Sequence, residues 1–243
     1  KYQIIQLGAA LKHEDKEIQI VNEDFKIIPI EGYGSKNLLR SLLISEKPDA
    51  LLIFTDPRFF NYLFDMEDEI HQICPILWWH VWDNRPYPDF NDYIYDSIDS
   101  INCHSFFTYN MLKSKHKDKV HYIPHSAPSE IFYKKDNEEK LRLKKLIINK
   151  DENDFVCLWV NRNCRRKRPG DVLKSWQIFL HKLEERRISE NVFLIMHTNP
   201  YDSEGLNLVE IAKKLKLESS IIFSTNSLSF DEMNNLYNIS DVT

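Results

Sequence analysis

A strand, a cationic loop and a helix follow one another in FVCLWVNRNCRRKRPGDVLKSW, residues 155–176. The first six residues form a continuous apolar run, which is typical of a strand covered on both faces. Pro169 suits the first turn of a helix, and Val172, Leu173 and Trp176 continue an apolar stripe at helical spacing. Ligands of open α/β sheets bind beyond the carboxyl ends of the strands, so the loop between these elements is a candidate binding site.

The loop is strongly basic. It carries five cations within seven residues, namely Arg162, Arg165, Arg166, Lys167 and Arg168. The amino terminus of the following helix adds partial positive charge and free N–H groups, which favour a bound phosphate. The alternative is a solvated basic loop without a ligand. A dinucleotide dehydrogenase is disfavoured because no G-x-G-x-x-G motif occurs.

The same alternation of apolar runs and helical patterns extends outward along the chain. It predicts an α/β fold whose parallel sheets carry helices on both faces. The predicted strands are Tyr2–Gly8, Phe25–Ile30, Ala50–Phe54, Ile76–Trp82, Ser100–Cys103, Val120–Ile123, Phe155–Val160, Val192–Met196 and Ile221–Ser224.

One segment interrupts this rhythm. Residues 126–154 contain a proline and a charged, poorly apolar helical stretch, which indicates a connection between two α/β units. We therefore predict a first lobe at 1–130, a linker at 131–150 and a second lobe at 151–243. The second lobe has three strands before Thr243, so we expect it to be incomplete.

Composition narrows the function classes. The 243 residues carry a net charge of −5, whereas dedicated nucleic-acid binders usually show a basic excess. No apolar run approaches the ~20 residues of a membrane span. The four cysteines form no C-x-x-C pair, which disfavours structural zinc. They suit a reducing compartment and a cytoplasmic location, although their number also permits two disulfides.

The spacing of Arg162 and Lys167 resembles the G-R-x(4)-K-G signature of retaining GT-B glycosyltransferases of family 4. The run N-R-N-x-x-R-K-R-P, residues 161–169, is similar to a viral and bacterial branch of that family. Asn161 and Arg168 stand where the family has glycines. The resemblance implies that Arg162 and Lys167 contact the donor diphosphate, and that Asn161 lies in the donor site. It also implies that the loop at His197-Thr198 lies near the nucleotide; an ordinary βα loop is the alternative.

Other segments resemble the same family in order and spacing. Val120–His125 is similar to V-x-x-I-P-H-G, and residues 230–242 are similar to s-x-e-e-l-x-x-l-Y-x-x-a-D-v. The resemblance covers nearly the whole chain and implies a GT-B fold of two Rossmann-like lobes. The family's G-G-x loop is expected before Lys1, and its acidic E-x(7)-E segment is expected after Thr243.

The first lobe has a strand end rich in tryptophan and polar groups, WWHVWDNRPYP at residues 78–88. Aromatic faces and polar groups together suit a sugar. Side chains alternate along a strand, so we expect His80 and Trp82 to share the face towards the sugar. Asp83 joins His80 as a candidate catalytic residue. The predicted acceptor-side residues are Asp56, Trp82, Asp83 and Asn84. A core role for the tryptophans and a helix-capping role for Asp56 are the alternatives.

The resemblance implies a hexosyltransferase-type enzyme. It would move a sugar from a nucleotide sugar to the hydroxyl of a glycan or another acceptor, with retention of configuration. Arg162 and Lys167 would act without a metal or a bound cofactor, and no suitable D-x-D motif supports a metal-dependent GT-A enzyme. A sugar-nucleotide epimerase of the same fold and a non-catalytic nucleotide-binding domain are alternatives. A nucleic-acid acceptor and the oligomeric state stay open.

Overall fold

The computed structural model describes residues 2–10, 16–151 and 154–243, without the side chain of Ala10. The chain forms two compact units, Lys1–Ser126 and Ala127–Thr243. Both units contain parallel strands connected by helices, as the alternation in the sequence predicts. Within the described ranges, every helix is too short or too polar to cross a bilayer.

The first unit contains two sheets. One has the order β1–β3–β2 and the other the order β4–β5–β6–β7. The second of these sheets is entirely parallel. The strands are β1 (Ile4–Ala10), β2 (Gln19–Asn22), β3 (Phe25–Glu31), β4 (Leu51–Phe54), β5 (Ile76–His80), β6 (Ser100–Cys103) and β7 (Val120–Tyr122). The helices are α1 (Lys36–Glu46), α2 (Asn61–Phe64), α3 (Glu67–His71), α4 (Asp92–Ser97) and α5 (Phe106–Lys113).

The second unit has one parallel sheet of order β10–β9–β8. Its elements are α6 (Asn137–Ile148), β8 (Phe155–Val160), α7 (Pro169–Glu185), β9 (Val192–His197), α8 (Leu208–Lys214), β10 (Ile221–Ser224) and α9 (Phe230–Asn238). Leu173 and Leu208 of α7 and α8 pack in one buried cluster, and Leu143 and Leu236 of α6 and α9 pack in another. Helices therefore cover both faces of this sheet, as expected for continuous apolar strands.

The helix starts follow the sequence signals. Ser35 caps α1 by accepting a hydrogen bond from the Leu38 amide at 3.3 Å. Ser229 and Glu232 form the capping box of α9, and Pro169 occupies the first turn of α7. Local polar chemistry thus fixes these boundaries, since each cap satisfies an amide that the helix leaves free.

The segment interpreted as a linker contributes a core helix to the second unit. Leu143 of α6 packs with Val156 and Leu236. The buried Lys144 ammonium donates to the Asp154 carbonyl and lies 3.4 Å from an oxygen of Asp241. This partner for a buried cation explains why a charged, poorly apolar sequence can belong to the core.

In the four-stranded sheet of the first unit, the two faces differ. Ile53, Trp78 and Ile101 are buried with residues of α1 to α5 in one cluster. Leu52 and Phe54, on the opposite face, are 55% and 53% exposed. The expectation of helices on both faces is therefore not met for this sheet within the described residues.

His80 lies on the covered face of this sheet and has no exposed surface. Its Nε2 is 3.0 Å from the Tyr95 hydroxyl, and its ring centroid is 4.0 Å from that of Trp78. The expectation that His80 faces a sugar is therefore corrected: helix α4 covers that side of β5. Burial, and to a smaller extent the neighbouring His104, lower the pKa of His80 to about 3.

Replacing His80 by glutamine should flatten the acid dependence of stability. In the unfolded chain the imidazole takes up a proton near pH 6.5, whereas the folded pKa is about 3. The contribution of the neutral His80 to the free energy of unfolding is therefore fully present above pH 6.5, and it falls as the pH drops towards 3. Between pH 7 and pH 5 the free energy of unfolding of the wild type should fall by about 2 kcal/mol because of this group. The variant should not show this loss.

Urea unfolding at pH 7 and pH 5 measures this difference, and hydrogen exchange in β5 and β6 assigns it to the first unit. His181→Gln is the control, because His181 is exposed on α7. An equal loss of stability in wild type and His80→Gln would contradict the assignment of His80 as a neutral core histidine.

Candidate functional site

The candidate site in the second unit lies where three parallel strands end at one edge of the sheet. Val160, His197 and Ser224 lie side by side at the carboxyl ends of β8, β9 and β10. Asn161 and Thr198 follow directly and reach the same edge of the sheet. Parallel pairing therefore brings together the donor-site residues predicted from distant parts of the sequence, at the edge where α/β folds bind ligands.

The basic loop connects this edge to the amino terminus of α7. Residues 165–167 form a single 3-10 turn, and Arg168 adopts a left-handed φ of 51°. Pro169 then starts a helix of 17 residues. Pro169 has no N–H and the Asp171 amide donates to the Arg168 carbonyl at 3.0 Å, so the first turn offers an anion the Gly170 amide and the partial positive charge of the helix end.

Arg162 is exposed and engaged by two carboxylates. Its Nε and Nη2 donate to the two oxygens of Asp202 at 2.8 and 3.2 Å. Nη2 also lies 3.3 Å from a carboxylate oxygen of Glu204. The hydrogen bonds that Arg162 donates to Asp202 raise the pKa of Arg162, and the same bonds hold the pKa of Asp202 below its usual range.

The other cations of the loop differ in their partners. Arg168 forms an ion pair with Asp171 at 2.5 Å. Lys167 is half-buried, and among the described residues no carboxylate pairs with it. The same holds in those ranges for the exposed Arg165 and Arg166. Lys167 thus lies in the turn with its ammonium available to pair with an anionic ligand.

A fully buried amide holds the site together, and sequence reasoning missed it. Asn163 donates to the carbonyls of Asn199 and Leu206 at 3.2 and 2.7 Å and accepts from the Leu206 amide at 3.1 Å. A Cβ at Gly205 would lie 2.2 Å from the Asn163 amide oxygen, so this contact requires glycine. Both residues sit in the polar loops that follow β8 and β9, but nothing in the sequence pairs them.

His197 and Thr198 are held within the sheet edge. The His197 Nδ1 lies 2.9 Å from the Ser224 hydroxyl, and the Thr198 amide donates to the Ser224 carbonyl at 3.0 Å. The Thr198 hydroxyl is buried and has no hydrogen-bond partner among the described residues. These two positions are therefore well fixed, although the Thr198 hydroxyl lies below the surface.

The first unit presents its acceptor-side candidates in the loop after β5. Asp83 and Asn84 are exposed. The Trp82 indole N–H donates to the Asn84 carbonyl at 2.8 Å, and the Thr108 hydroxyl donates to the Trp82 carbonyl. These bonds order the loop while the Asp83 carboxylate stays accessible.

Asp56 has the capping role that the sequence left open. Its carboxylate accepts from the Arg58 amide at 3.1 Å and pairs with the Arg58 guanidinium at 3.1 Å. It thereby starts the 3-10 turn at Pro57–Phe60. This local function accounts for the side chain without a ligand.

An aromatic cluster lies on the open face of the four-stranded sheet of the first unit, and its ring contacts were not predicted from the sequence. The rings of Trp79 and His125 stack with centroids 5.5 Å apart and an interplanar angle of 8°. Phe54 and His104 contact His125 at 6.3 and 5.0 Å between centroids. Strand alternation separates Trp79 from His80, but only the structure shows that the Trp79 side is the open one.

A groove of about 500 Å³ lies beside Phe132, Tyr133 and Tyr237 and contains none of the predicted site residues. Among the described residues, no group of three His, Cys, Asp or Glu side chains could hold a metal ion, and all four cysteines are free.

Comparisons with known proteins identify the fold. No protein-family model matches the chain, and no curated protein matches it in sequence. Among solved structures, a glycosyltransferase from Rickettsia africae is 16% identical with a TM-score of 0.62, covering 89% of this chain. This chain spans 59% of the length of that protein.

Two trehalose-6-phosphate structures cover more of the chain. A trehalose-6-phosphate synthase analysed for glycosyltransfer with retention is 10% identical with a TM-score of 0.58. An Escherichia coli structure bound with UDP-2-fluoro glucose is 10% identical with a TM-score of 0.59. Each covers 98% of this chain, which spans 70% of each of them. The chain therefore has the parallel α/β fold found in GT-B glycosyltransferases.

Proposed function

We propose that the chain belongs to a retaining glycosyltransferase, and that its second unit holds the diphosphate of a nucleotide sugar. One observation carries the proposal: Arg162 and Lys167 occupy the loop between the carboxyl end of β8 and the amino terminus of α7. Their spacing resembles the family 4 signature. The likeness to a structure bound with UDP-2-fluoro glucose supports the same ligand class.

The chemistry requires stabilisation of a leaving diphosphate. As the bond from the anomeric carbon to the phosphate oxygen breaks, its electron pair moves onto the diphosphate. The acceptor hydroxyl oxygen attacks the same face of the sugar, and its proton passes to the released phosphate oxygen. Preplaced cations favour this charge shift because they need no reorganisation during the reaction.

Arg162 and Lys167 suit this task in different ways. A guanidinium offers planar, directional N–H donors, whereas an ammonium acts as a compact charge. The amino terminus of α7 adds partial positive charge on the same side of the loop. We propose that these groups act without a metal or a bound cofactor.

The acceptor site is proposed for the first unit, around Asp83, Asn84 and Trp82. Asp83 is exposed and its loop is ordered by hydrogen bonds to its neighbours. A glycan hydroxyl is the proposed acceptor group. His80 is left out because it has no exposed surface, and Asp56 because it caps a turn. We propose a cytoplasmic location, since all four cysteines are free in the structure.

Removing the charge of Arg162 or Lys167 should weaken donor binding. In calorimetry with UDP-, GDP- and ADP-sugars, Arg162→Ala and Lys167→Ala should each lower affinity for the sugar nucleotide that binds wild type. Turnover should fall by roughly 10²-fold, by analogy with the loss of other oxyanion-stabilising groups. Arg165→Ala is the matched control, because Arg165 is an exposed cation of the same loop.

Wild-type affinity in both Arg162→Ala and Lys167→Ala would remove the diphosphate from this loop. Equal weakening in Arg165→Ala would indicate a diffuse basic surface instead of a site.

Asp83→Asn should lower turnover while donor affinity stays nearly unchanged. The carboxylate lies in the first unit, whereas the proposed diphosphate site lies in the second. Steady-state kinetics with varied acceptor, combined with donor calorimetry, separates the two effects. Equal losses of donor affinity and turnover would place Asp83 in folding or in the donor site.

A further inference from the structure

The pairing of Arg162 with Asp202 joins the loops that follow β8 and β9. We infer that Asp202 is a positioning residue, which orients the Arg162 guanidinium for the diphosphate of a nucleotide donor. The inference rests on the proposed function, and it assigns a role to a carboxylate that the sequence did not single out.

The Asp202 carboxylate is fixed before any ligand binds. Its side chain is 14% exposed, and its Oδ1 accepts a hydrogen bond from the Glu204 amide at 3.0 Å. The Asp202 carbonyl accepts from the Gly205 amide at 2.9 Å, so the backbone turns tightly around the carboxylate. A carboxylate held in this way is an orienting partner, because it does not need to be ordered when the ligand arrives.

Asn163 anchors the loop that carries Asp202. Its three hydrogen bonds reach Asn199 and Leu206, on either side of Asp202. Asn163 is also the residue next to Arg162, so the arginine and its carboxylate partner are attached to the same buried amide. Gly205 permits this close approach because it has no Cβ. The geometry of the ion pair therefore follows from the backbone.

The ion pair with Asp202 occupies one edge of the Arg162 guanidinium and leaves Nη1 available to a ligand. Nε and one terminal nitrogen, Nη2, contact Asp202 and Glu204. In the part of the chain that the structure describes, Nη1, which carries two N–H donors, donates no hydrogen bond to a protein acceptor. A phosphate can therefore bind Nη1 while Asp202 keeps its bonds.

Glu204 differs from Asp202. Its side chain is 65% exposed and makes a single contact with Arg162 at 3.3 Å. Such an exposed contact is weak and is readily displaced. Asp202 is thus a largely buried carboxylate held by a backbone amide, whereas Glu204 is an exposed one whose place a phosphate could take.

A double-mutant cycle tests the inference. Asp202→Asn removes the charge and one acceptor but keeps an oxygen for the Glu204 amide. Affinity for UDP, GDP or ADP, whichever binds wild type, should fall about tenfold, by analogy with the loss of carboxylates that orient metal-binding histidines. In the Arg162→Ala background the same substitution should cause no further loss.

Glu139→Gln is the matched control. It removes an equivalent fork, in which Arg142 donates through Nε and Nη2 to Glu139 at 2.8 and 2.9 Å, on α6 of the same unit. Its affinity should equal that of wild type. Asp202→Ser, which also keeps an oxygen acceptor, gives the same test should Asp202→Asn not fold.

The outcomes separate the two claims. Tighter binding by Asp202→Asn would overturn the inference, because Asp202 would then compete with the diphosphate for Arg162. An equal loss with and without Arg162 would also overturn it, since the role would be structural. Loss in Arg162→Ala but none in Asp202→Asn would leave the proposed function standing alone. Failure of all three nucleotides to bind wild type would overturn both.

Discussion

The parallel register of β8, β9 and β10 is the constraint on which the candidate site depends. It ends three strands at one edge, with Val160, His197 and Ser224 in adjacent positions. The loops that follow must therefore meet, although Arg162 and Asp202 are 40 residues apart in sequence. Once they meet, the buried amide of Asn163 joins their backbones, and an unpaired buried amide would be costly. Fold and site are consequently coupled through a few polar contacts.

The two units use their sheets differently. In the second, helices cover both faces, so the sheet edge is the natural place for a ligand. In the first, the described helices gather on one face, and Trp79 and Phe54 remain on the open side. The same α/β plan thus gives a cationic edge in one unit and an aromatic surface in the other.

The sequence predicted the elements better than their contacts. Each strand predicted from an apolar run is present in the structure, and the capping signals correctly predicted the starts of α1, α7 and α9. Both features depend on local chemistry. The short strand β2 was missed because its four residues are all exposed and its apolar pair, Ile20 and Val21, is too short to indicate a strand. Alternation separated Trp79 from His80, but which face the helices cover is a tertiary property. The Arg162–Asp202 pair and the burial of Asn163 likewise depend on strand register, which no local pattern specifies.

A crystal structure of the protein with a bound nucleoside diphosphate tests the central claim most directly. Phosphate oxygens should lie within hydrogen-bond distance of Lys167 Nζ and Arg162 Nη1, with the fork between Arg162 and Asp202 intact. A diphosphate bound elsewhere, for example in the groove beside Phe132 and Tyr237, with the basic loop empty, would contradict it.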